Sequence, residues 1–465
     1  MKPRLTTFLR TATALGLITS SVAGCGDDGT SNPVDAAVTA IDAPETGGTV
    51  ILSNDITTNT TLTADKLYKI PRLKQLFVQP GATLTIEPGT VIQGGQGSVL
   101  VITRGAKINA AGTKDKPILL TTDQPDGMKT GGHWGGLLIL GAAPININVN
   151  STPPSTEATF EAFTSAIPEG KFGGTNAADN SGVLKYVRIE FAGFNFVADR
   201  EFNNLTLCGV GTGTEIDFVQ VHGGTDDGVE FFGGTVNVKH LVSSQNGDDG
   251  FDTDNGWQGK GQFIVIQNVS PQGATEASNG FESDNHATAA SYTAAPRTKP
   301  TLYNVTLLGD HAYAGGSSFA TVIRRGTGGN YFNHIIIDFP LGLEFRDAAT
   351  KESLDMGNLF FKNSIIFNNA ANGMNWQPPQ ATGDIDEASY MTNAAWNNRF
   401  VDPGLPAARN AKTAPNWKPM AGAAALTGGA TPPSDGFFDA TATFVGAVGA
   451  DDWTLGWTAY PQPRS

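Results

Sequence analysis

Apolar positions along this chain come in short bursts separated by glycine, asparagine and aspartate, and almost nowhere at the i, i+3, i+4, i+7 spacing of an amphipathic helix. Thr83-Leu84-Thr85-Ile86 is followed by Thr90-Val91-Ile92, Val99-Leu100-Val101-Ile102, Ala106-Lys107-Ile108 and Ile118-Leu119-Leu120-Thr121. The same alternation of β-branched run and turn continues through 183–191, 205–207, 216–221, 236–241, 263–266, 302–307, 335–337 and 364–367. Short runs bounded by turn residues predict strands. A sandwich uses about seven to nine strands and leaves most of these unexplained. A solenoid accommodates them, because each coil contacts only its neighbours and coils add freely. The expected fold is all-β: a single-stranded right-handed parallel β-helix.

Its limits are set by changes in pattern. Pro80-Gly81-Ala82-Thr83-Leu84-Thr85-Ile86-Glu87-Pro88-Gly89 and Gly105-Ala106-Lys107-Ile108-Asn109-Ala110-Ala111-Gly112 resemble the opening coils of secreted right-handed β-helices. The helix is expected over residues 49–410, with a polar, irregular loop inserted at 146–179 on the face that carries function. Residues 411–465 are expected to supply a closing coil and a cap over the open end, with Trp453 and Trp457 packed inside it.

The first residues change the picture from fold to compartment. Lys2, Arg4 and Arg10 precede a short apolar stretch at 11–22, which predicts a signal peptide over 1–24. Val22-Ala23-Gly24-Cys25 resembles a bacterial lipobox, which implies lipidation of Cys25 and anchoring of the exported protein to the outer membrane. Residues 25–48 read as a flexible tether. The other cysteine, Cys208, then has no partner for a disulfide within the chain and reads as a small strand residue. The formal charge is −14, and −17 once the three basic residues of the leader are removed. Such a surface disfavours nucleic acid as a partner and favours cations, polysaccharide or another surface protein. The chain is expected to be a monomer.

Candidate chemistry is concentrated in the middle. Asp227-Gly228-Val229-Glu230, Asp249-Gly250-Phe251-Asp252 and Asn279-Gly280-Phe281-Glu282 share one pattern, with glycines 22 and then 30 residues apart. One coil apart means stacked, at about 4.8 Å. Between His222 and His286 stand Asp226, Asp227, Glu230, Asp248, Asp249, Asp252, Asp254, Glu276, Glu282 and Asp284, opposed only by Lys239 and Lys260. Two like charges about 4 Å apart repel by about 1 kcal/mol in water and about 4 kcal/mol at an effective dielectric near 20. Either some acids hold protons or the array holds a hard cation. Calcium, which takes six to eight oxygens in irregular geometry, suits it better than zinc. The plain alternative is that Asp-Gly is a turn dipeptide and the acids are solvated.

Asn246-Gly247-Asp248-Asp249-Gly250-Phe251-Asp252 resembles the calcium-binding stretch of the family 9 pectate lyases, also right-handed β-helices. That resemblance implies Asp248, Asp249, Asp252 and Asp227 as calcium ligands; the repeated acidic pattern itself, apart from the resemblance, adds Glu230, Asp254 and Glu282 as candidates. From Trp134 onward the chain resembles a family of bacterial surface β-helix lipoproteins. The resemblance rests on Leu184-Lys185-Tyr186-Val187-Arg188-Ile189-Glu190-Phe191-Ala192-Gly193, the acidic middle and Trp453-Thr454-Leu455-Gly456-Trp457-Thr458, and implies fold and location without an activity.

Three functions follow. The first is a non-catalytic, lipid-anchored surface protein with a calcium site, binding glycan or a partner protein through exposed groups such as Trp257 and Trp376. The second is a calcium-dependent uronate lyase, with Lys260 or Lys239 as base and Arg324 and Arg325 gripping acidic sugar. The third is a hydrolase pairing Asp249 with Asp252 or Glu230.

Overall fold

The computed structural model describes residues 47–463 apart from 165, 198–199, 270–278, 312–317, 370–374, 377 and 380–383. The leader, Cys25, nearly all of the tether and Glu276 lie outside the described residues.

The short runs do form strands, and the strands stack as a parallel β-helix. One strip has nine parallel strands, running from Gln75–Val78 through Val99–Ile102, Leu137–Leu140, Leu205–Val210, Val229–Gly234, Phe251–Asp254, Phe281–Ser283 and Thr321–Ile323 to Leu343–Phe345. The other strips begin as separate strands and merge. Lys107–Ala111 pairs with the first part of Gly182–Glu190, and Ile118–Thr122 with its second part. The corner inside that strand is Tyr186, with φ at 48°. The same left-handed corner recurs at Phe218, His240, Phe263, Asn304 and Asn333. Tyr186, Phe218 and Phe263 are bulky residues that rarely adopt positive φ, so stacking must hold them. Tyr186, Phe218, His240 and Phe263 lie face to face at centroid separations of 4.4, 4.2 and 4.9 Å.

Inward positions carry the core. Leu207, Phe231, Leu241, Ile264, Val305 and Ile323 are buried in one continuous cluster, the packing that must stabilise a fold with no disulfide among its described residues.

Two segments differ from expectation. The insertion at 146–179 is not merely polar. Phe160, Phe163 and Phe172 form a second cluster against Phe77, Val99, Val101, Leu138 and Leu140 on the outer face of the nine-stranded strip. Those outward positions are apolar on the early coils and must be covered. The tail from Leu405 onward does not sit over an end. It lies along the flank, where Leu405, Trp417, Val445, Val448 and Trp457 cover Val242, Val265, Leu308, Ile335 and Ile365. Trp453 and Trp457 meet the corner stack edge-on at Phe218, 6.2 and 6.0 Å away. Side-chain amides hold the tail backbone. Gln220 makes a two-bond clamp on Ala459, Gln262 on Asp439 and Asn333 on Ala430.

Candidate metal centre

The stacking read from the glycine spacing is the observed register. Val229 pairs with Phe251 and Phe251 with Phe281, so Glu230, Asp252 and Glu282 form an outward column on adjacent strands. The residue two before each strand forms a second column, whose side chains tie coil to coil. Asp227 Oδ1 accepts the amide of Asp249 at 2.9 Å, Asp249 Oδ1 accepts that of Asn279 at 2.8 Å, and Asn279 Oδ1 accepts that of Phe319 at 3.1 Å. The glycines serve close packing rather than a turn. None of Gly228, Gly250 and Gly280 has a positive φ. A Cβ on Gly228 would stand 2.2 Å from Ser243 Oγ, and one on Gly250 2.2 Å from Ile266 Cγ2.

Two sets of carboxylates converge on the first two rungs. One oxygen each from Asp226, Asp227 and Asp248 lie within 4.8 Å of one another, and so do oxygens of Asp227, Glu230 and Asp252. Asp227 belongs to both sets. Asn203 Nδ2 donates to Glu230 at 2.6 Å. Asp252 Oδ1 is buried without a hydrogen-bond partner among the described residues. Burial, and then the neighbouring acids, push the carboxyls of Asp227, Glu230, Asp249 and Asp252 well above the usual range. Asp254, buried and beside Asp284, is pushed up to about 7.

The third rung is different because arginine balances it. Arg324 pairs with Glu282 and places Nε 2.9 Å from Asp284, and Arg325 Nη1 lies 2.5 Å from the same carboxylate. Among the described residues, Asp227, Glu230, Asp249 and Asp252 form no ion pair with Lys or Arg. The uncompensated charge therefore sits on the first two rungs. An oxygen-only donor set with one buried oxygen unclaimed fits a hard cation. The rungs open into a pocket of about 420 Å³ that also receives Glu161 from the insertion and Phe319, Arg324 and Arg346 from later coils.

Most expected ligands are brought together. Asp227, Glu230, Asp248, Asp249, Asp252 and Glu282 line this pocket. Glu282 is engaged by Arg324. Asp254 turns to its neighbour, accepting from the Asn255 amide at 2.5 Å and from Asn255 Nδ2 at 3.1 Å. Asp249, offered as half of a hydrolytic pair, has one oxygen committed to Asn279.

The lysines are not brought to the ladder. They lie on strands of the other sheet and fasten the tail: Lys239 Nζ donates to Phe437 O at 3.0 Å, and Lys260 pairs with Asp435 at 2.6 Å. Neither stands where a base would serve the acidic pocket. Arg324 is present as a counter-ion. Trp257 is a core residue, stacked 4.2 Å from Phe231 with its Nε1 donating to Val236 O, and cannot touch glycan. Trp376 is half-buried, edge-on to Phe400 at 5.6 Å.

Glu161, Asn203, Phe319, Val322 and Arg346 line the pocket without having been expected there from the sequence. Arg346 had a signal: it follows Arg324 by the 22 residues that separate Gly228 from Gly250. Glu161 had none, because an insertion has no register to read.

A family model described as a pectate-lyase like beta helix domain matches residues 54–417. Among solved structures, the crystal structure of pectate lyase Pel9A is similar to this chain over 80% of its length and 89% of that chain, at 13% identity and a TM-score of 0.42. No curated protein matches.

Proposed function

The chain belongs to the pectate-lyase-like β-helix family, and we propose that it uses the acidic ladder to hold a divalent cation, calcium by donor type, through which it binds an acidic glycan outside the cell. The observation that carries this reading is the pair of uncompensated rungs, where Asp227, Glu230 and Asp252 converge and Asp252 Oδ1 has no hydrogen-bond partner among the described residues. Protons shared among the acids would relieve the repulsion at low pH. Near neutrality a cation with six to eight oxygen ligands relieves it more completely and keeps positions for a ligand's carboxylate. Lipidation of Cys25 would hold this site close to the outer membrane.

Binding is favoured over elimination by what surrounds the pocket. β-Elimination needs a base to take the proton next to the uronate carboxylate. The two lysines proposed for that role are committed to the tail, and arginine stays protonated. The test is calorimetric titration of calcium into the chelator-treated mature chain, beside the Asp249→Asn/Asp252→Asn double variant. A uronate polymer is then added, with the ultraviolet absorbance of an unsaturated product monitored. Calcium binding that the double variant loses, with glycan retained and no absorbance rise, is the expected result. An absorbance rise would make the protein a lyase, and no calcium binding by wild type would remove the cation from the account.

A further inference from the structure

Beyond the rungs, the pocket changes sign. Thr321 pairs with Leu343 and Ile323 with Phe345, which sets Arg324 and Arg346 side by side just past these strands. Arg324 is consumed by Glu282 and Asp284. Arg346 is not. Its Nε pairs with Glu344 at 3.1 Å, and its guanidinium carbon lies 5.4 Å from the centre of the Phe319 ring. Its side chain is 42% exposed. Among the described residues, no hydrogen bond engages its Nη groups. Both Arg346 and Phe319 line the pocket that holds Asp227, Glu230 and Asp252.

We propose that Arg346, laid on Phe319, is an anion subsite that selects glycans carrying a second acidic group beyond the one held at the cation. This rests on the cation-dependent glycan reading above and adds to it the length and charge pattern of the ligand. An aromatic face attracts and orients a guanidinium, leaving a planar edge of two donors. That edge matches the two oxygens of a carboxylate or a sulfate, which an ammonium does not do. From Asp252 the column runs through Glu282 and Val322 to Glu344, three strand steps away. At about 4.8 Å per step that backbone separation is about 14 Å, and because Arg346 reaches back over Phe319 on the preceding coil its guanidinium stands two to three steps, about 10–14 Å, from Asp252, more than one sugar ring spans. The ligand is therefore an oligomer lying along the solenoid axis. A structural role explains Arg346 poorly, since an exposed pair with Glu344 contributes little to stability.

The test compares the mature wild-type chain with Arg346→Gln and Arg346→Lys by calorimetry. The probes are calcium alone, galacturonate monomer, tetragalacturonate and a sulfated galactan tetramer. Arg346→Gln is expected to weaken the preferred anionic tetramer at least tenfold, with calcium and monomer affinities within twofold of wild type and an unchanged melting temperature. Arg346→Lys should recover only part of the loss, since it restores charge without the fork. The tetramer that loses more identifies carboxylate or sulfate as the group bound. Unchanged tetramer affinity in Arg346→Gln overturns the subsite, as does failure of wild type to bind either tetramer. If wild type binds tetramer without calcium and still depends on Arg346, the subsite stands and the cation reading falls.

Discussion

Asp252 faces two demands that conflict. Its outward position on the second rung puts it against Glu230 and Glu282, and its Oδ1 is buried with no hydrogen-bond partner among the described residues. Replacement by asparagine keeps the shape and removes the charge. Asp252→Asn should weaken calcium at least tenfold, or about 1.4 kcal/mol, while raising the melting temperature of the cation-free protein at pH 7.5. Calorimetry and a chelated thermal melt would read the two effects, and unchanged calcium affinity would exclude Asp252 from the site. Glu282→Gln should weaken calcium less, because Arg324 already balances that carboxylate. Glu387 presents the same conflict outside the two acidic rungs. Its Oε1 accepts the Phe345 amide at 3.0 Å, and burial pushes its carboxyl up to about 7. A raised pKa means that stability is fully present below the unfolded value near 4.5 and is lost as pH rises through 7. Glu387→Gln keeps the acceptor and should be more stable than wild type by about 1–3 kcal/mol at pH 8, with the difference gone at pH 4.5 in denaturant melts. The ladder acids were legible as residues because they repeat. Glu387 was not, since its burial comes from a short helix set against the edge of a strip.

At the scale of elements, the strands and their stacking were legible wherever a period existed. The coil spacing fixed which acids would lie side by side, and it also held the position of Arg346. It did not reveal which direction Trp257 would face, because a lone tryptophan after Asn255-Gly256 reads equally well as turn surface or core. The insertion was illegible for a different reason. Phe160, Phe163 and Phe172 follow neither a strand nor a helix period, and make sense only against the apolar outer face they cover. Phe160 lies 5.5 Å from Phe202 and 5.8 Å from Phe232, and the next residue, Glu161, lines the acidic pocket. Phe160→Ala should therefore lose about 3–5 kcal/mol of stability and also weaken calcium by shifting Glu161. Denaturant melts and calcium titration on the same sample separate the two, and lost stability with unaltered affinity would place Glu161 outside the cation's reach.

At the scale of the molecule, an excess of acids over bases together with the convergence of five carboxylates on two rungs makes stability depend on what occupies the ladder. The acids with raised values set the sign. Without a cation, Asp227, Glu230, Asp249 and Asp252 oppose folding once they must ionise, so the ladder's own contribution to stability is most favourable below about pH 4, falls as pH rises, and is still falling as Asp254 passes about 7. The chelated protein should melt higher at pH 5 than at pH 8. Calcium should reverse that order, because it binds the ionised ladder and gains from each proton released. At 100 times its dissociation constant it adds about 2.7 kcal/mol. A solenoid unfolds by neighbouring coils rather than all at once, so the gain should be concentrated near the rungs. Hydrogen exchange at pH 8 is the measurement that resolves it. Amides of Asp249 and Asn279, which the ladder carboxylates accept directly, should slow most on adding calcium, while those of the early coils at Leu84 and Ile108 change little. Uniform slowing would mean that calcium acts on the whole acidic surface, and no slowing at Asp249 would show that the ladder holds protons instead.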